Sequence, residues 1–248
     1  NYYRDPLAKS LNLTVAKYSK YDLRELCLYL INESNSLRME VNEDNNGVMY
    51  IQKGSRWVLN NAYKGFDAVS GTYTALSGKY GTPKPVILSE LMCYTGITGI
   101  YFPFTGEANI NIKAPLPSLP HVVTHEMAHQ RGFAREDEAN FISYLTCIYH
   151  PDIEFKYSGL LLALTHSINI LYTEDLKIYN ELKNCYSEGL KRDLEYISLF
   201  WKRYDGPVER ISNDLNDVYL KSNNQKDGTK SYGRMVDLLI AYHNKTQM

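Results

Sequence analysis

Two imidazoles and a carboxylate within five residues constrain this chain more than anything else in it: His125-Glu-Met-Ala-His129. On a helix, residues four apart leave the same face about one turn from each other. The two ring nitrogens can then take two corners of a tetrahedral metal ion. Glu126 projects roughly 100° around the helix from His125. It can stand beside the ion without binding it and accept a proton from bound water. The flanking sequence predicts that helix. Ser118 can cap its start, Pro120 suits a first turn, and Gly132 can stop it in a left-handed conformation. Val122, Val123, Met127 and Ala128 are apolar. Polar groups among such neighbours are costly unless something satisfies them, and a cation does so.

H-E-x-x-H on a helix is the pattern of zinc hydrolases that cut peptide bonds. The bland alternative is an amphipathic helix that happens to carry two histidines and an acid. A catalytic zinc needs a third protein ligand and an open fourth position. Glu136, just past Gly132, is the favoured third ligand, reached by one turn and the start of a second helix. Glu138 is the rival, but it faces roughly 160° away from the Glu136/Asn140 side. Asn140 lies one helical turn beyond Glu136 and is placed to hydrogen-bond a ligand histidine. Asp137 reads as an acid favoured by the helix dipole. His121 cannot share an ion with His129, since eight residues of helix span about 12 Å. It reads as a first-turn residue near the pocket rim, while His150, His166 and His243 read as structural.

These residues resemble the zincin superfamily and, within it, the glutamate-zincins typified by thermolysin. In those, H-E-x-x-H on one helix is followed by E-x-x-x-D on the next. Glu136-Asp-Glu-Ala-Asn140 looks like that second motif, with Asn for Asp and a much shorter spacer. A narrower resemblance covers most of the chain. It is to a bacterial family of membrane-anchored proteins known as a domain of unknown function and presumed to be zinc peptidases. It rests on Asn61-Ala-Tyr-Lys-Gly-Phe66, Lys84-Pro-Val, Gly99 to Asn109, His125 to Tyr144, and Asp227 to Arg234. It implies an extracytoplasmic domain, tethered to the bacterial membrane by hydrophobic helices that precede it.

The remaining sequence predicts one α+β domain over 1–248, mostly helical, with a small mixed sheet packed over the H-E-x-x-H helix. Residues 1–14 read as an irregular arm. N-terminal helices and the sheet occupy 15–112, with helices over 15–35 and Ser55–Thr74. Strands are expected at Val86–Leu91, Gly99–Phe104 (an edge, because of Pro103) and Ala108–Ile112. The metal-site helices span 118–150, and 151–248 is helical, with breaks near Thr173, Gly206-Pro207 and Asn223–Gly228. The net charge of −1 gives no reason to expect nucleic acid. Leu160–Leu164 is followed too soon by His166 and Asn169 to form a membrane span. The spacing of the four cysteines suits free thiols better than a metal or redox pair.

The expected chemistry is peptide-bond hydrolysis of a peptide or protein substrate by one zinc ion per chain. His125, His129 and Glu136 would hold the metal and Glu126 would act as general base. In a zincin, an edge strand above the metal helix pairs with the substrate main chain. Gly106, Glu107 and Ala108 are the candidates for that edge. An oxyanion donor is expected downstream. Tyr232 is the first candidate and His166 the second, with Arg234 as a possible anchor for substrate or carboxylate. Two other readings stay open: a non-catalytic receptor or regulatory module on the same fold, and a cell-wall zinc amidase. Oligomeric state has no signature in the sequence.

Overall fold

A computed structural model describes residues 5–206 and 232–247, without the side chains of Tyr232 and Gly233. It is an α+β fold. Among the described residues it contains α1 (Leu7–Ser10), α2 (Lys20–Arg38), α3 (Gly54–Asn61), α4 (Tyr63–Ser70), β1 (Lys84–Pro85), α5 (Ser89–Cys93), β2 (Gly99–Phe102) and β3 (Glu107–Ile110). Then follow α6 (Leu119–Gln130), α7 (Glu136–Ile148), α8 (Ile153–Glu174), α9 (Leu176–Lys183), α10 (Glu188–Lys202) and α11 (Tyr232–Thr246). Among the described residues, no helix is long and apolar enough to cross a membrane. The four cysteines are free thiols, three of them buried.

α6, α7 and α8 form the centre, with α2 and α11 packed around α7 and α8. Close approach is set by small residues. A Cβ on Gly159 of α8 would lie 2.5 Å from the Cys147 Cβ, and one on Gly65 of α4 would lie 2.3 Å from the Thr146 carbonyl oxygen of α7. Buried hydroxyls bind the seam: Thr124 and Ser143 Oγ atoms lie 2.9 Å apart, and Ser143 donates to the His121 carbonyl at 2.6 Å. A second buried anchor joins α2, α8 and α10. Asp193 faces Arg38 at 2.6 Å and accepts hydrogen bonds from the Tyr157 hydroxyl and the Met49 N–H.

The sheet runs β1-β3-β2, with β1 parallel and β2 antiparallel to β3. Gly99 and Tyr101 lie opposite Ile110 and Ala108, which are fully buried, so these four face α6. Ile100 and Phe102 face away and are exposed. Three expectations need correction. The stretch Val86–Leu91 is not a strand: Ser89 Oγ donates to the Val86 carbonyl and accepts the Ile112 N–H, closing a turn that leads into α5. The single helix over 55–74 is two, broken at Ala62, where the Asn61 carbonyl accepts from His150 Nε2 at 3.0 Å. The N-terminal arm is ordered around Leu7, Leu11 and Leu13, which enter the core. Of the expected C-terminal breaks, the one near Thr173 falls at Asp175, between α8 and α9; Pro207 and Asn223–Gly228 lie outside the described residues.

Candidate metal centre

α6 starts as the sequence suggests, though by different contacts. Ser118 sits at the N-cap with no side-chain cap, and Pro120 lies in the first turn. The His121 N–H is instead taken by Ser158 Oγ of α8 at 3.2 Å. At the other end Gly132 adopts φ +85°, which glycine alone tolerates easily. The turn brings the Phe133 carbonyl back to 2.7 Å from His129 Nδ1. A carbonyl only accepts, so Nδ1 carries the proton and Nε2 of His129 presents a lone pair.

That lone pair meets two others. His129 Nε2 is 3.1 Å from His125 Nε2, and the Glu136 carboxylate sets Oε2 3.3 Å from His125 Nε2 and Oε1 3.4 Å from His129 Nε2. A tetrahedral ion with bonds of about 2.0–2.1 Å holds its donors about 3.3 Å apart. The three edges of this triangle match that spacing, and the group could hold a metal ion. The electrostatics agree with a positive centre. Burial works against a charge on His129, but Glu136, then Glu126 and the Phe133 carbonyl, raise its pKa to about 9, so below that pH a proton competes with a metal ion for the Nε2 lone pair. Burial likewise opposes charge on Glu136, yet the two imidazoles hold its carboxyl well below the usual range.

Glu138, the rival ligand, is committed elsewhere. It is buried and accepts the Leu7 N–H of α1 at 2.7 Å. Asp137 pairs with Arg135 through two contacts of 3.1 and 2.6 Å. Asn140 is buried on α7, but among the described residues it makes no hydrogen bond to either site histidine. The Phe133 main chain fills the orienting role expected of Asn140.

Glu126 is 5% exposed and lies against the sheet rather than in the triangle. The Tyr101 N–H lies toward its carboxylate and lowers its pKa, and a Cβ on Gly99 would fall 2.6–2.8 Å from its Cγ, Cδ and Oε1. Burial pushes the Glu126 pKa up, against the pull of His125, His129 and the Tyr101 N–H. The Tyr101 ring stacks near His129, with centroids 6.3 Å apart. Neither Gly99 nor Tyr101 was singled out in the sequence for a role, because both act through main chain or through a missing side chain.

The strand beside Glu126 is therefore β2. The expected substrate edge at Gly106, Glu107 and Ala108 is corrected on this point. β3 is the middle strand, paired on both sides; Gly106 is in a turn with φ +69°, and Glu107 pairs with Lys84. Near the triangle, burial lowers the pKa of His166 to about 4, with His125 contributing, and that of His121 to about 3, with His125 and His166 contributing. Both imidazoles are neutral. Arg234 is exposed on α11, and the Tyr232 side chain lies outside the described residues.

A family model described as "Protein of unknown function (DUF3810)" matches residues 1–240. The chain belongs to this family. No curated protein and no solved structure matches it. The matched span includes α6, α7 and the sheet, so the triangle and Glu126 lie within the family domain.

Proposed function

We propose that this DUF3810 chain is a zinc-dependent peptide hydrolase with a zincin-like site. The observation that carries the reading is the pairing of a three-donor triangle with a buried carboxylate held out of it by a strand. A site that only stabilised a fold would have no use for the fourth group, and structural zinc usually has four Cys or His ligands. His125, His129 and Glu136 would hold the ion. When bound, zinc would lower the pKa of a coordinated water toward about 7 and polarise a carbonyl. Glu126 would take the proton from the attacking water and deliver it to the leaving amine. The Phe133 carbonyl keeps the His129 ring in the tautomer that offers Nε2. Tyr232 is the first candidate to donate a hydrogen bond to the developing oxyanion, and His166, which interacts electrostatically with His125, is the second.

The substrate main chain would lie along the outer edge of β2. The Asn111 N–H donates to the Thr98 carbonyl, so the bonded pairs of this ladder are 98/111, 100/109 and 102/107. Gly99 and Tyr101 therefore direct their main-chain groups away from β3, toward Glu126 and the open side. The resemblance to membrane-tethered proteins further suggests that the substrate is met outside the cytoplasm.

Elemental analysis of the purified protein tests the reading first. About one zinc per chain is expected, lost in His129→Ala and weakened in Glu136→Gln. Glu126→Gln should keep zinc and lose hydrolysis of a peptide library. A parent protein without zinc after reconstitution, or equal metal loss from Glu126→Gln and Glu136→Gln, would overturn the assignment.

A further inference from the structure

We infer that the site selects extended peptides carrying apolar side chains at two alternating positions, read by Ile100 and Phe102. The inference rests on the proposed hydrolase reading and names its substrate class. Open sheet edges are usually blunted by charge, above all by lysine, because an unprotected edge recruits other strands. β2 is Gly-Ile-Tyr-Phe and carries no charge. It is an edge among the described residues, and its outward side chains are apolar: Ile100 is 43% exposed and Phe102 48%. Phe104, in contact with Phe102 at 5.6 Å between centroids, is 89% exposed. Such a surface is built to be covered.

The occupant follows from what else lies on that edge. Glu126 lies against Gly99 of this strand, and the metal triangle is on the same face of the sheet as the Tyr101 ring. A strand added to β2 would bond to the outward main chain of Gly99 and the Tyr101 carbonyl. Its residues opposite Gly99 and Tyr101 would then point to α6 and the metal. The residue opposite Ile100 would form a non-bonded pair, with Cβ atoms about 4.5–5.5 Å apart, and the next but one would sit beside Phe102. Alternation thus divides the substrate into one set of side chains facing the chemistry and another facing Ile100 and Phe102. The only charges flanking that outer face on β1 and β3, Lys84 and Glu107, pair with each other and favour neither sign.

The test uses zinc-loaded Glu126→Gln protein and a positional library of unstructured peptides, read by binding. Apolar residues should be enriched at two positions separated by one residue. Ile100→Lys and Phe102→Lys should each weaken the best apolar peptide about tenfold and shift the preference at one position toward acidic residues, with zinc content unchanged. Selection unaffected by either substitution would overturn the inference. So would a concentration-dependent dimer abolished by Phe102→Lys without any peptide selectivity, since the edge would then serve a second copy of the chain. Selective binding without cleavage by the parent protein would leave this inference standing and sink the hydrolase reading alone.

Discussion

Gly99→Ala is the substitution that most directly probes how Glu126 is held. The added methyl carbon would lie 2.6 Å from Glu126 Cγ, 2.7 Å from Oε1 and 2.8 Å from Cδ. Ordinary carbon contacts are about 3.5–4.0 Å, so the carboxylate must retreat by about 1 Å. The retreat takes it from the Tyr101 N–H and from the water it would deprotonate. Misplacement of a reacting group by about 1 Å costs on the order of 10²-fold in rate, or about 2.7 kcal/mol of barrier. The stability cost should be smaller, about 1 kcal/mol, because a flexible side chain rather than backbone has to yield. The donors in His125, His129 and Glu136 are untouched.

The assay is steady-state hydrolysis of a peptide drawn from a cleavage library, with zinc measured on the same samples. We expect kcat to fall about 10²-fold, KM to change little and zinc to remain near one per chain. The double variant Gly99→Ala/Glu126→Gln should be no slower than Glu126→Gln alone, because both changes remove one function. A Gly99→Ala protein with parental kcat would refute the argument that this contact positions the base. Loss of zinc in step with activity would show that the strand supports the metal ligands instead.

Other consequences concern separate parts of the fold. Glu138→Gln should keep zinc but unfold more easily by about 1–2 kcal/mol in urea, because the buried Leu7 N–H loses a charged acceptor; zinc loss in that variant would return Glu138 to the ligand set. Asp193→Asn should cost about 3 kcal/mol, because buried Arg38 keeps only the half-exposed Glu43 as a carboxylate partner, and the same loss in an Arg38→Met/Asp193→Leu pair would contradict that reason. His150 should make the protein acid-sensitive. Burial lowers its pKa first of all, and Nδ1 accepts the Asp152 N–H, so the folded state needs it neutral. Below about pH 6.5 the unfolded chain binds the proton more readily, so this contribution is intact above that pH and lost as pH falls, at a slope approaching about 1.4 kcal/mol per unit. Urea midpoints at pH 7.5 and 5.5 should converge in His150→Asn, and an unchanged pH slope would remove His150 from the account.

What the sequence disclosed of the site is what two adjacent helices and one turn determine locally. His125, His129 and Glu136 lie within twelve consecutive residues, and helical spacing plus a left-handed Gly132 brings their donors together. Of the two candidate acids, Glu136 lies with the imidazoles, and the contact that holds Glu138 away comes from Leu7, far away in the chain. The expectation of Asn140 as the orienting group followed side-chain chemistry, whereas the structure uses a main-chain carbonyl that any residue at position 133 would supply. Gly99 and the Tyr101 N–H escaped notice for the same reason. Residue type does not report main-chain hydrogen bonds or empty space beside a glycine.

The sheet shows how a local reading fails in a second way. The alternation in Ala108–Ile112 marked a strand that the structure places at Glu107–Ile110, and Pro103 marked the neighbouring strand as an edge, which it is among the described residues. Placing the substrate on the later strand followed the zincin resemblance, in which an edge strand lies above the metal helix, and sequence alone does not give the sheet order. Ala108 and Ile110 are fully buried, and that burial is achieved by pairing β3 on both sides and pressing one face onto α6. Once β3 is central, β2 becomes the open edge beside Glu126 among the described residues. A glycine is then needed where the carboxylate meets that edge, and the uncharged Ile100 and Phe102 fall on its outer face. The position of the proposed base and the proposed choice of substrate therefore follow from one topological fact, and a substitution in β2 can separate them: position 99 should govern rate, while positions 100 and 102 should govern which peptide binds.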